Sequence, residues 1–133
     1  MTVINYIIVG LGGIFGAMSR YAVGSFMSGL VFPYGTLSVN LIGSFFLSFI
    51  AYGSLLKWSL PKKHLLAINT GFIGAFTTFS TFSVDTLKLM LNGKYITALI
   101  YVLTSAIFGL ALSWFGIYTA HLLFQKEGLK TER

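Results

Sequence analysis

Apolar residues fill four long stretches of the chain, residues 3–30, 35–56, 64–91 and 95–124, with short polar breaks between them. Phe32-Pro33-Tyr34-Gly35 punctuates the first gap, Lys57 to Lys63 with Pro61 the second, and Asn92-Gly93-Lys94 the third. Each stretch holds at least ~20 residues, enough to cross a ~30 Å hydrocarbon core at ~1.5 Å per residue. A bilayer offers backbone N–H and C=O groups no water, so a spanning segment must satisfy them internally. The short alternating strands of a barrel are absent from the sequence. The pattern predicts an all-α integral membrane protein of four transmembrane helices, tight loops and both termini on one side, with a charged tail over residues 126–133.

Composition sharpens this picture. Hydrophobic residues make up 56% of the 133 residues, charged residues 9%, and mean hydropathy is +0.84. A soluble domain carries roughly 25% charged residues. Met1 to Asn5 has no basic residue and the apolar run outlasts a signal core, so the first stretch is expected to remain as a membrane helix. The chain has no cysteine, which removes disulfides, thiolate metal sites and a cysteine nucleophile. Of three acidic residues, Glu127 and Glu132 sit in the tail, leaving Asp85 as the only carboxylate side chain in the first 126 residues. Two-carboxylate hydrolysis and carboxylate-caged metals are therefore excluded within one subunit. With no nucleophile–base–acid set, the chain does not read as an enzyme. His64 and His121 fall at helix ends without metal-ligand spacing, and interfacial solvation accounts for them.

Polar residues inside the stretches carry the functional signal. Gly12-xxx-Gly16 and Gly13-xxx-Ala17 give helix 1 a small-residue face for close packing. Thr36, Asn40, Ser44 and Ser48 step by four along helix 2, and Thr97, Tyr101, Ser105, Gly109 and Ser113 do the same on helix 4. One such stripe can simply return hydroxyls to its own i−4 carbonyls or glue helices together. Two stripes and an asparagine amide favour a wet or ion-conducting path. Helix 3 contains Gly71-Phe72-Ile73-Gly74-Ala75-Phe76-Thr77-Thr78-Phe79-Ser80-Thr81-Phe82-Ser83, a poor run for a mid-membrane helix. A break near residues 74–78 is expected, and such breaks survive only when buried or lining a cavity. Phe79 and Phe82 share a face there. Arg20 lies toward the far end of helix 1, where it either snorkels or holds an anion in a vestibule.

The segment Gly74 to Phe82, together with Gly16-xxx-Arg20-Tyr21 and Gly35-Thr36-Leu37-x-Val39-Asn40-xx-Gly43, resembles the bacterial fluoride channel family Fluc, also called CrcB. The match spans nearly the whole chain in order. The resemblance implies an antiparallel dual-topology dimer with two fluoride pores and a structural, untransported sodium ion at its centre. Carried over by motif position, the backbone carbonyls of Gly74 and Thr77 would hold that sodium. Phe79 and Phe82 would be the pore phenylalanines, Asn40 the pore amide, Ser80 and Thr81 polar neighbours, and Tyr101 and Ser105 a hydroxyl track. Asp85 departs from the pattern, since a glutamate is expected there.

Elementary chemistry agrees with that reading. Fluoride is small and strongly hydrated, so a pore must replace its water with donors, which hydroxyls and an amide supply. A phenyl ring offers a positive edge that meets an anion without trapping it. The expected function is passive export of fluoride through the plasma (inner) membrane, lowering its toxic cellular concentration. The alternatives are a small dual-topology coupled transporter or a structural membrane subunit. A cation-exporting transporter needs an acid within helix 1, which here has Arg20 and none. A structural subunit leaves the helix 3 run unexplained.

Charge bears on assembly. Lys57, Lys62, Lys63, Lys126, Lys130 and Arg133 share the termini's side, against Lys88 and Lys94, with or without Arg20, on the other. Positive-inside bias places that richer side in the cytoplasm. A dual-topology chain should be nearly balanced, so pairing with a second homologous chain is the alternative to an antiparallel homodimer. The complete set of motif residues favours the homodimer.

Overall fold

The computed structural model describes residues 3–56 and 61–131, with side chains throughout except at Lys62 and residues 125–131. Lys57 and Arg133, which enter the charge balance above, lie outside the described residues. Helices α1 (Val3–Phe26) and α2 (Tyr34–Leu56) come first. The third crossing begins as α3 (Lys62–Leu65), widens into a π-helical stretch, Leu66–Ile73, and closes with the short α4 (Gly74–Phe76). It resumes as α5 (Phe79–Leu91), and α6 (Tyr95–Thr131) completes the chain. No strand occurs among the described residues. Four helical spans are long and apolar enough to cross a membrane, at Val3–Phe26, Tyr34–Leu56, Lys63–Leu91 and Tyr95–Phe124.

Helix ends differ from the apolar pattern where backbone chemistry overrules it. The first apolar run continues to Leu30, yet α1 stops at Phe26. Met27 and Ser28 close its last turn on the Val23 and Ser25 carbonyls, and Gly29 turns the chain at φ +87°. The last apolar run ends at Phe124, yet the α6 backbone continues to Thr131, through a segment with no proline in which Gln, Lys, Glu and Leu favour the helix and Gly128 alone strongly opposes it. Between α5 and α6 the Asn92-Gly93-Lys94 signal becomes a Schellman cap. Gly93 takes φ +72°, its N–H donates to Met90 O at 3.0 Å, and Lys94 N–H donates to Leu89 O at 2.9 Å.

Packing follows the small residues. A Cβ at Gly16 would collide with the Phe72 carbonyl, and one at Gly12 with the Ala67 carbonyl, so the small-residue face of α1 lets it lie backbone-to-backbone on the π-helical stretch. The most extensive helix pair is α2 with α6. Leu37, Leu89, Ala98 and Tyr101 form a buried cluster joined by Phe32, Leu41 and Phe82. Outward faces expose side chains such as Phe15, Leu110 and Trp114, as expected when the solvent is lipid.

Candidate functional site

The expected break in the third crossing falls between α4 and α5. Thr77 (φ −80°, ψ 159°) and Thr78 (φ −153°, ψ 123°) are extended, so two residues leave the helical ladder at membrane depth. Their polar groups are claimed by specific partners. Thr78 N–H donates to Asn40 Oδ1 at 2.8 Å, and Asn40 Nδ2 donates back to Thr78 O at 3.0 Å. From α2, Asn40 thus clamps both the N–H and the C=O of Thr78, and one amide hydrogen is left over. The Thr78 hydroxyl caps α5 by accepting from Thr81 N–H at 3.1 Å, and it donates to Thr81 Oγ1 at 3.0 Å. Gly43 makes room for the break, because a Cβ there would strike the Thr77 methyl.

These bonds have a consequence for the carbonyls. In an unbroken helix Gly74 O would accept from Thr78 N–H, and Thr77 O from Thr81 N–H. Asn40 takes the first donor and Thr78 Oγ1 takes the second. Gly74 and Thr77 therefore present carbonyls deprived of their helical donors, and Gly74 is exposed on the protein surface. Such hard oxygens fit the donor set that an alkali cation takes. Among the described residues no cluster of His or carboxylate side chains could hold a metal.

The aromatic residues form a chain beside the break. Phe79 is 80% exposed, immediately after the buried Thr78. Its ring lies 5.8 Å from that of Phe82, which lies 5.1 Å from Tyr101, and Tyr101 meets Phe32 edge-on at 5.6 Å. Tyr101 is completely buried. Among the described residues neither its hydroxyl nor Ser105 Oγ, one turn further along α6, has a well-formed hydrogen bond, and the side chain nearest to the Tyr101 hydroxyl is that of Thr36. Buried hydroxyls without partners are uncommon and mark donors available to something else.

Two cavities meet at the break. One of about 330 Å³ gathers Arg20, Ser25, Thr36, Thr78 and Thr81, which brings the expected vestibule arginine to the hydroxyls of the motif. The other, about 270 Å³, is lined by Asn40, Ser44, Thr77, Thr78 and Phe79. Thr78 walls both. Ser80, exposed, approaches Thr78 Oγ1 at 3.2 Å. Asn40, Thr77, Phe79, Ser80, Thr81 and Arg20 are thus assembled around Thr78, and Phe82 and Tyr101 extend the array, whereas Ser105 stands apart on α6.

Two parts of this arrangement were not singled out in the sequence. Thr78 is the hub, and its only sequence signal was a Ser/Thr residue type at the start of a helical run, the type favoured at an N-cap. The other is a hydrogen bond from Thr36 Oγ1 to Asp85 Oδ2 at 2.6 Å, which joins α2 to α5. His121, expected to be solvated, instead contacts Tyr52 Oη through Nδ1 at 3.2 Å.

Comparison with known proteins gives one consistent answer. The family described as CrcB-like protein, Camphor Resistance (CrcB), matches residues 7–117. A protein named Fluoride-specific ion channel FluC 2 from Listeria innocua serovar 6a is 47% identical over 111 residues, covering 84% of this chain and 86% of the relative. Fluoride-specific ion channel FluC from Oceanobacillus iheyensis is 45% identical, covering 92% and 95%. The protein of that name from Geobacter metallireducens is 38% identical, covering 90% and 99%.

Proposed function

This chain belongs to the CrcB family, and from that premise we propose its function: a fluoride-specific ion channel of the plasma membrane, multi-pass and not an enzyme, through which fluoride leaves the cell passively. The relatives' names and the match over most of the chain support the ion. The observation that carries the mechanism is the extended Thr77–Thr78 break, clamped by Asn40 beside an exposed Phe79.

Fluoride must exchange hydration water for donors that are numerous and individually weak. Arg20 attracts the anion into the larger cavity, the Thr81 hydroxyl receives it there, and Ser80 stands beside Thr78 as a further hydroxyl. The second amide hydrogen of Asn40 and the positive edges of Phe79 and Phe82 carry it past the break. The buried hydroxyl of Tyr101, which packs on Phe82, is the next donor toward α6, and Ser105 lies one turn beyond it. The second cavity has no basic side chain in its lining, so nothing there holds the anion as tightly as a fixed cation would.

One chain leaves Phe79 and Gly74 uncovered, which supports assembly with a second copy as an antiparallel dual-topology homodimer. Across its two-fold the Gly74 and Thr77 carbonyls of both chains would hold a structural sodium ion, whose chemistry is to neutralise oxygens freed by the break. An added C-terminal cysteine labelled from both faces of intact cells fits the homodimer; one-sided labelling points to a heteromeric partner.

Fluoride efflux from liposomes holding the purified protein, with chloride as control, tests the function. Fluoride is expected to pass and chloride essentially not. Comparable efflux of both ions would sink the reading.

A further inference from the structure

A third cavity, about 270 Å³, lies at the membrane end where the α1–α2 and α5–α6 connections meet. Its polar lining is Asp85, Lys88, Asn92 and Lys94, with Pro33 and Leu30 among the apolar walls. Two of the nine basic residues of the chain thus converge on one opening.

The obvious structural duties of these lysines are already filled. Lysines near a helix C-terminus commonly satisfy the last carbonyls. At the end of α5, however, Lys88 O accepts from Asn92 N–H at 3.1 Å and Asn92 Nδ2 at 2.8 Å, while Leu89 O and Met90 O are taken by the Schellman cap. Nor is either ammonium group neutralised. Asp85, the nearest acid, has Oδ2 engaged by the Thr36 hydroxyl, and neither Lys88 nor Lys94 forms an ion pair within the described residues. Both lysines are exposed. The opening therefore carries two free positive charges against one tethered carboxylate.

Its place gives those charges a use. Thr36 lines the Arg20 cavity, and its bond to Asp85 is the partition between that cavity and this one. Asp85 follows Phe82 by three residues and so shares its side of α5. We infer that the Lys88–Lys94 cavity is an anion-capturing mouth, a binding site for fluoride at the α5–α6 end of the permeation path, with Asp85–Thr36 as its inner wall. This rests on the fluoride-channel reading above. The net positive charge raises the local anion concentration, and Asp85 keeps the site weak enough to release what it captures.

The test is fluoride efflux from neutral phosphatidylcholine liposomes at low and high ionic strength, using the full chain, Lys88→Gln, Lys94→Gln, their double variant, and Lys88→Arg with Lys94→Arg. At low ionic strength and sub-saturating fluoride the double variant is expected to lose about fivefold in flux, each single variant less, and the arginine pair nothing. The loss should shrink below about twofold near ~0.5 M salt, where charges are screened over a few ångströms. Wild-type flux in the double variant at low salt would overturn the mouth. So would an equal loss at both salts, which signals damaged assembly, or a loss confined to liposomes of anionic lipid, which assigns the lysines to headgroup phosphates. A wild-type protein that passes no fluoride would instead overturn the channel reading itself.

Discussion

The hydroxyls of α2 and those at the start of α5 are alike in chemistry and opposite in use. On α2, Ser44 donates to Asn40 O at 2.7 Å and Ser48 to Ser44 O at 2.9 Å. Each returns its proton to the turn below, and the helix stays regular. Around the break, Thr78 Oγ1 caps α5, and Asn40 replaces the two backbone partners that Thr78 has lost. A serine stripe is tolerated when the backbone has no need of it. It becomes machinery where the backbone has been pulled open. The decisive quantity is which carbonyls and amides the helix leaves free, not how many hydroxyls it carries.

The largest effect should follow from attacking the clamp. Asn40→Asp replaces the donor to Thr78 O with an acceptor and sets a carboxylate against a carbonyl in an anion path. Fluoride flux should vanish. Stability should also fall, by roughly 1–3 kcal/mol for a buried group left unsatisfied, read as earlier thermal unfolding in detergent. Wild-type flux would return Asn40 to ordinary packing. Next come Phe79→Ile and Phe82→Ile, which keep apolar bulk and remove the ring edge. Both should reduce flux by at least about tenfold while the oligomer elutes unchanged in size-exclusion chromatography. Because isoleucine keeps the apolar bulk, the Phe79 variant should unfold at nearly the wild-type temperature. A flux loss that tracks instability would assign the ring to packing alone.

A subtler change separates the cap from the pore. Thr78→Val keeps the shape of the side chain and deletes the oxygen that Thr81 N–H donates to, at a cost of about 1 kcal/mol. Thr78→Ser restores that oxygen. Flux and thermal stability should fall together in the valine variant and recover together in the serine variant. If serine fails to rescue, the Thr78 methyl matters more than the cap.

Much of this was open to sequence reasoning, because lipid makes its demands visible in composition. Four crossings follow from apolar length, and the break from two glycines and a crowd of β-branched hydroxyl residues. The partners of the break were not legible. Asn40 and Thr78 are separated by 38 positions, and nothing in either segment alone says that an amide on one helix will take the N–H that Gly74 loses. The π-helical stretch was equally hidden. It overlaps the start of the glycine-containing run at residues 71–73 and is seated by Gly12 and Gly16 of another helix, so its cause is tertiary. Local rules also set the end of α1 at Phe26 against an apolar pattern that runs on, since hydrophobicity reports burial in lipid and not backbone winding.

The smallest expected effect tests the other half of the contrast. Ser48 lies on the same polar stripe as Asn40, two turns along, and by spacing alone belongs to the same path. Its hydroxyl, however, donates to Ser44 O, a carbonyl that already lies within the α2 ladder. Removing it leaves no backbone group unsatisfied and gives up a bond that helices slightly disfavour. Ser48→Ala should therefore change stability by no more than ~0.5 kcal/mol and leave fluoride flux within about twofold of wild type. Paired measurement beside Thr78→Val makes the comparison direct: one hydroxyl removed from each region, one serving an intact ladder and one serving a broken one. A Ser48→Ala variant with strongly reduced flux and unchanged thermal stability would mean that the α2 stripe conducts after all, and that its hydroxyls leave their carbonyls to follow the ion.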